Sequence, residues 1–384
     1  MRTALIVGAG IGGLAAAIAL RRAGWDLRVF ERASTPRHVG FALGLAPNAM
    51  AALRELGVAD AVANQGVTPT AVEIRRADGR VIRRFAGRLN DLPAGDLPRV
   101  VLRSVLHKAL LDALGPNVVE TNRGAVRFEA NDAGVRVELS DGTSADGDIL
   151  IGADGIGSTI RTLLHPDQLP PQPSGYFAVR GLSRAVDRLN GLQALWYFGR
   201  GMESGVIQAG PSEIYWFLSL CADDVKAGPL EAQDVMRRCT AGFDTQFHAI
   251  TGATAPADMR LDELLVREPI AEWGRGPVTL LGDAVHPMLP HTGQGAAQAL
   301  EDGVALGRAL RGTGDHVAAL RRYEAVRSKR TRRVVKSGPR IARVTTTKSP
   351  IVTWLRNTTI RLVPEAALLK VFTRTGPDPH RELG

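Results

Sequence analysis

The hydrophobic positions of this chain change their period twice, and the changes divide it into two kinds of sequence. Near the N-terminus an apolar run over residues 4–7 meets a glycine-rich stretch, and apolar residues then recur at helical spacing over 14–22. A second strand-like run over 26–30 ends at Glu31. Helical spacing returns over 48–56 and 103–114, and 149–151 is a continuous apolar run of the kind found in a strand buried on both faces. Short strands are predicted over 71–76 and 80–85, joined at Asp78 and Gly79, and over 125–130 and 135–139 around a turn at 131–134.

From residue 175 to 268 the pattern becomes alternating and rich in aromatics, with strands predicted over 176–181, 194–198, 205–208 and 214–220 and one helix over 232–247. Alternation of this kind predicts a largely antiparallel sheet, suited to walling a pocket. A buried strand over 278–281 and a helix running to Leu310 then return to the first pattern. The expected fold is α/β: a Rossmann-like nucleotide-binding domain, an inserted, mostly antiparallel β-sheet substrate domain, and C-terminal helices. The expected division is residues 1–72, 98–172 and 269–330 for the first, 73–97 with 173–268 for the second, and 331–384 for the helical end.

Three glycine-acid motifs sit at the ends of predicted strands. In the first, Gly8, Gly10, Ile11, Gly12 and Gly13 lie between strand and helix, with Glu31 and Arg32 one strand later. That is the dinucleotide fingerprint in its required context. Gly8 permits the tight turn, Gly10 lets backbone approach a pyrophosphate, and Gly13 lets helix and strand pack closely. The helix N-terminus offers N–H groups to phosphate. An acid at Glu31 suits ribose hydroxyls and disfavours a 2′-phosphate. The second motif, Gly152-Ala153-Asp154-Gly155 through Arg161, supplies a carboxylate beside flexible backbone. A turn or helix-cap role for Asp154 competes evenly with ligand binding. The third runs from Leu281 through Gly282 and Asp283 to Pro290, His291, Gly293, Gln294, Gly295 and Ala296. There Asp283 can accept from polyol hydroxyls, and the helix start faces any developing negative charge. Together the motifs point to one FAD held along its length. His286 and His291 are five apart without a carboxylate partner in sequence, so no metal site is expected.

Composition changes this picture little. With 384 residues, 45% hydrophobic and 23% charged, the chain is ordinary for a globular protein of two lobes. No run reaches a membrane span, no signal-peptide pattern opens the chain, and Cys221 and Cys239 stand apart, so a cytoplasmic protein without stable membrane insertion is expected. The net charge of +9 resides in one place: between Arg321 and Lys348 eleven Lys or Arg face one acid, Glu324. A solvated helix face is the simpler reading of that cluster, an anionic partner or membrane surface the other. Without interleaved aromatics a nucleic-acid partner is not expected.

The three motifs in this order resemble those of single-component FAD-dependent aromatic hydroxylases, flavoprotein monooxygenases with a para-hydroxybenzoate hydroxylase-like fold. The wording over 281–306 is similar to salicylate, 3-hydroxybenzoate and urate hydroxylases and to zeaxanthin-type epoxidases. The resemblance implies that Gly8, Gly10, Gly13 and Glu31 hold the ADP half of FAD and that Arg103 contacts the pyrophosphate or ribityl region. It implies further that Asp154 and Gly155 serve FAD and NADPH, that Asp283 binds the ribityl chain, and that Pro290 and Gly293 to Ala296 lie along the flavin ring. It also implies a reaction in which NADPH or NADH reduces the flavin, dioxygen adds at its C4a position, and one oxygen atom passes to an aromatic or polycyclic small molecule. An epoxidase and an oxygen-independent reductase of isoprenoid double bonds are the alternatives. Candidates to face the substrate are Arg180, Tyr197, Gln208, Tyr215, Trp216 and His291. His291 has a ring whose ordinary pKa suits proton transfer. The oligomeric state is left open.

Overall fold

The structure, a computed structural model, describes residues 2–35, 41–86 and 97–364. The parts of the expected organisation on residues 87–96 and 365–384 lie outside the described residues. Five parallel strands form one sheet, in the order Val278–Leu280, Ile149–Gly152, Thr3–Val7, Asp26–Phe30, Val119–Glu120. Thr3–Val7 is central, and Ala4 to Val7 are buried, which is why its sequence is continuously apolar rather than alternating. All three glycine motifs leave the C-terminal ends of the three adjacent strands Thr3–Val7, Ile149–Gly152 and Val278–Leu280.

The helix Ile11–Arg22 crosses the helix Gly295–Leu310 at a distance only small residues permit. A Cβ added to Gly303 would lie 2.7 Å from the Ala16 backbone nitrogen, and one added to Gly307 would lie 2.6 Å from the Ala19 Cβ. Gly12 belongs to the same contact, where a Cβ would meet Leu281 and Ala299. Alanine and glycine thus let the third motif's helix lie against the first motif's helix, and the N-terminal ends of the two helices converge.

The second sheet has seven strands, in the order Met259–Val266, Gln172–Ser183, Ile214–Cys221, Met202–Gln208, Ala194–Phe198, Ala71–Arg76, Val81–Ala86. It is antiparallel except where Ala71–Arg76 runs parallel to Ala194–Phe198. Side chains along its strands alternate between two faces, apart from irregularities at Pro173/Tyr176 and Ile74/Arg75. Phe177, Val179, Leu195, Tyr197, Val206, Trp216 and Leu218 form a core with Val235, Met236, Phe247 and Ile250 from two short helices. Of the intervening residues, Ala178 and Leu264 pack on Leu289 of the nucleotide-binding lobe, and Ile74, Phe85 and Phe198 pack with Ile360 near the C-terminal end.

One helix differs from expectation. The helix expected over 232–247 is broken into Ala232–Cys239 and Thr245–Thr251. Asp244 caps the second, its carboxylate accepting from the Phe247 N–H at 2.7 Å, and such a cap starts a new helix rather than continuing an old one. At the C-terminal end a 30-residue helix, His316–Thr345, runs through Pro339 and is followed by a separate helix, Pro350–Leu362, capped by Ser349.

Candidate active site

The site lies where the three motif turns meet the free face of the seven-stranded sheet. The first motif behaves as its glycines require. Gly8 has φ +105°, and a Cβ on Gly13 would stand 1.9 Å from the Gly8 carbonyl oxygen, so neither tolerates a side chain. A Cβ on Gly10, by contrast, would meet nothing within 4 Å. Gly10 therefore borders space that a ligand can enter. Ile11 contributes only its backbone there, because its side chain is in the core. The helix it begins has no side-chain cap, which leaves its first N–H groups free for an anion.

Glu31 stands at the end of the neighbouring strand, and its carboxylate accepts from the Ala9 N–H at 2.9 Å and the Ala33 N–H at 3.0 Å. It is therefore locked to the glycine turn, with acceptor capacity remaining for hydroxyls. Arg32, next to it, is exposed. Gly155, at φ +79°, also borders open space.

Asp154 is differently employed. Its carboxylate accepts from the Ser158 hydroxyl at 2.5 Å and from the Thr159 and Ile160 N–H groups at 2.7 and 3.3 Å. The capping alternative is the one the geometry displays. Burial pushes this carboxyl up, while those hydrogen bonds hold it down. Arg161, fully buried, donates to the Ala284 and Val285 carbonyls at 3.3 and 3.2 Å and so ties the second motif to the third.

Asp283 has an exposed side chain although protein surrounds it, the signature of a residue at the floor of a deep cleft. That setting pushes its carboxyl up, opposed by His286 and Arg103. Arg103, also deep in the cleft, is lowered by desolvation; Asp283 opposes this, and nearby Arg180 and Arg260 add to it. Three guanidinium groups and the carboxylates of Asp262 and Asp283 thus share the cleft. Arg180 pairs with Asp262 at 3.3 Å and Arg260 pairs with it at 2.7 Å. The balance is one positive charge in excess, which suits an anionic ligand.

Pro290 and Gly293 are exposed, and Gly293 turns the chain at φ +63° into the uncapped start of Gly295–Leu310, where Gly295 and Ala296 are half-buried. Gln294 is turned inward instead. Its Oε1 accepts from Asn48 at 3.0 Å, so only its backbone is available to the cleft.

The sheet supplies the opposing wall. Tyr215 stacks on Phe41, with centroids 6.2 Å apart and planes 19° apart, and burial pushes its phenol up to about 12, so it remains a hydrogen-bond donor at neutral pH. The Nε2 of His291 lies 2.8 Å from the Ser219 hydroxyl, and the ring meets Tyr176 edge-on at 5.5 Å. Burial lowers its pKa to about 4. That direction works against the titration near neutrality that the sequence suggested for this ring.

Two sheet candidates are corrected outright. Tyr197 is fully buried on the opposite face, packed against Phe243 and Phe247, with its hydroxyl 3.2 Å from Asp244. Trp216 is likewise in that core and donates to Thr254 at 2.8 Å. Gln208 donates to the Gly210 carbonyl at 3.1 Å.

A buried ionic network behind the site was not read from the sequence. Arg327 donates to Asp302 and Glu301, each at 2.6 Å, and Arg330 donates to Glu301 at 2.5 Å. Asp302 accepts from His286 at 2.6 Å and from the Gly282 N–H at 3.0 Å. The hydrogen-bonded carboxylate partner of His286 is thus Asp302, 16 positions along the chain. Burial opposes the ionised form of Asp302, but His286 and Arg327 hold its carboxyl down to about 2. Glu301 and Asp302 inside an apolar helix face were the available signal, since buried acids require cationic partners.

The cradle glycines, the exposed acid in a cleft and two uncapped helix starts fit an extended dinucleotide, and this combination with an aromatic-walled cleft defines an FAD-dependent monooxygenase. The family model described as FAD binding domain matches residues 1–337, and the chain belongs to that family. It is 32% identical over 361 residues to the aurachin C monooxygenase/isomerase of Stigmatella aurantiaca, covering 94% of each chain. It is 33% identical to the FAD-dependent urate hydroxylase of Klebsiella pneumoniae, covering 86% of this chain and 87% of that one. The crystal structure of Klebsiella pneumoniae HpxO with FAD and uric acid superposes with a TM-score of 0.90 at 30% identity, covering 97% and 96% of the two chains.

Proposed function

We propose that this enzyme consumes NADH or NADPH and dioxygen to hydroxylate a small, planar, anionic aromatic or heteroaromatic compound. The observation that carries this reading is the single sheet face that presents Arg180, Tyr215 and the Ser219–His291 pair opposite the third motif. Bound FAD supplies the redox chemistry and the activation of dioxygen.

The chain's own residues do the rest. Gly10, Glu31 and the free N–H groups of the Ile11–Arg22 helix would hold the ADP half, and Arg103 and Asp283 the centre of the cofactor. The N-terminal dipole of Gly295–Leu310 favours negative charge on the ring. Arg180 and the excess positive charge of the cleft orient an acidic substrate. Tyr215 donates a hydrogen bond to it, and Phe41 with Tyr215 forms an apolar side against which a flat ring lies. Neutral His291, held by Ser219, fixes substrate orientation. The aromatic walls exclude water while the oxygen atom is transferred. In this reading the parallel-sheet lobe (1–72, 98–172, 269–330) carries the cofactor, and residues 73–97 with 173–268 carry the substrate. Relatives that act on urate, on 6-hydroxynicotinate and on 3-amino-4-hydroxybenzoate support a substrate of this kind.

The test is a panel of hydroxylated aromatic and heteroaromatic acids, each scored for stimulated NAD(P)H oxidation, oxygen uptake and incorporation of one atom from labelled dioxygen. Stimulation with one labelled atom per product is expected for an acidic planar compound. Stimulated oxidation without oxygen uptake, or labelled epoxides from neutral alkenes only, would overturn the reading.

A further inference from the structure

The C-terminal helices expose apolar surface that the site does not use. On Pro350–Leu362 the side chains of Ile351, Trp354, Leu355 and Leu362 are 76, 67, 56 and 73% exposed. At 3.6 residues per turn they fall within an arc of roughly 100°. The helix is not free to turn them inward. Arg356, on its other side, is buried with its guanidinium over the Phe198 ring at 4.3 Å and donates to the Val344 and Thr345 carbonyls. Ile360 packs on the cluster of Ile74, Phe85 and Phe198, and Arg83 donates to the Arg361 and Val363 carbonyls, at 3.0 and 2.6 Å, at the helix end. The apolar stripe therefore points away from the body of the protein.

The chain on either side of it is cationic. Between Glu324 and Glu365 the sequence has no acid and eleven Lys or Arg. Of these Arg332, Arg333, Lys336, Arg340, Arg343 and Arg361 are exposed. Arg340 and Arg343 flank Ile341 and Val344, which are themselves exposed. An exposed tryptophan and aliphatic side chains on a fixed helix, in a stretch of chain rich in exposed cations, are the elements of interfacial membrane adsorption.

We propose that this surface docks the enzyme reversibly on an anionic lipid bilayer, with Trp354 and its neighbours entering the headgroup boundary and the cations facing acidic lipids. No helix among the described residues is long and apolar enough to cross a membrane, and adsorption needs none. A second copy of the chain is the less favourable occupant, because two such faces bring like charges together. The surface is coupled to the site: Gly338 and Ala342, on the same basic helix, pack on Leu289 and Thr292, in the third motif. Docking would thus place the cleft near compounds dissolved in the bilayer.

The test is co-sedimentation of the FAD-loaded full chain with vesicles of equal phosphatidylglycerol and phosphatidylcholine, and with phosphatidylcholine alone. Binding to the anionic vesicles only, weakened by salt, with blue-shifted emission from Trp354, is expected. Lys336→Glu/Arg340→Glu/Arg343→Glu should weaken it roughly 100-fold, at about fivefold per cation. Trp354→Glu/Leu355→Glu should abolish it, with FAD content and turnover of a soluble substrate unchanged in both. Absence of binding to either vesicle overturns the proposal. So does self-association that Leu355→Glu abolishes, which would make the face an interface between copies. Binding that appears only after removal of residues 365–384 would show that the chain covers this surface itself, and would overturn it for the intact enzyme.

Discussion

The hydroxyl of Ser219, on the antiparallel sheet, lies 2.8 Å from Nε2 of His291, in the turn that begins the third motif's helix, and this hydrogen bond joins the two walls of the cleft. The Nδ1 atom of His291 is buried and has no hydrogen-bond partner among the described residues. The ring is held on one side and leaves its other nitrogen open to a further partner, and its burial opposes protonation.

His291 therefore makes folding pH-dependent. Its pKa is about 4 in the folded protein, below the unfolded value of 6.5. The unfolded chain binds the proton first, so stability is lost as pH falls from about 6.5 towards about 4, by roughly 3 kcal/mol at most. His291→Gln should flatten this part of the stability profile, measured by urea unfolding at pH 7.5 and pH 5. An equal fall in wild type and variant would show that the ring is accessible and titrates normally.

Arg180 and Tyr215 should separate from Tyr197 in kinetics. Arg180→Met removes the anion partner, and Tyr215→Phe removes a donor. Each should raise KM for an acidic substrate, by roughly 10- to 150-fold for a lost bond worth ~1.5–3 kcal/mol, with uncoupled NAD(P)H oxidation releasing peroxide. Tyr197→Phe breaks the bond to Asp244 in the sheet core and should lower thermal stability while leaving KM unchanged. A KM effect from Tyr197→Phe larger than that from Tyr215→Phe would reverse the assignment of the two faces.

Cofactor retention should depend on Asp283. Asp283→Ala loses a carboxylate acceptor in the cleft, and FAD affinity should fall roughly 10- to 150-fold. Equilibrium dialysis or flavin fluorescence on the refolded apoprotein measures this directly, and wild-type affinity would place the ribityl chain elsewhere. Glu31→Ala should also weaken FAD while leaving the preference between NADH and NADPH unchanged. A changed preference would mean that the first motif holds the nicotinamide cofactor.

Arg327 is a stability residue. Arg327→Met leaves Asp302 and Glu301 buried without their main cation, which costs about 3–5 kcal/mol when a buried pair loses one member. The melting temperature should fall by many degrees, whereas Arg322→Met, on the exposed side of the same helix, should change it little. Double replacement of Arg327 and Asp302 by apolar residues of similar size should recover part of the loss, and failure to recover any would point to a different role for the network.

The sequence by itself determined the parallel sheet and its ligand. Each motif stands where an apolar run gives way to glycine and then to helical spacing, and Gly8 and Gly13 need glycine for reasons internal to that turn. Local geometry of this kind is written into adjacent residues. What faced the substrate was decided only in three dimensions. Both faces of the antiparallel sheet are covered, one by short helices and the other by the nucleotide-binding lobe together with the C-terminal helix Pro350–Leu362, so both are apolar and aromatic, and a period of two does not say which is which. Tyr197 and Tyr215 look alike in sequence and lie on opposite faces. The same holds for charge. Asp154 turned to its own helix, Gln294 turned to Asn48, and His286 found Asp302 across a helix, because a buried polar group is satisfied by whatever the fold brings within hydrogen-bond reach, at any separation along the chain.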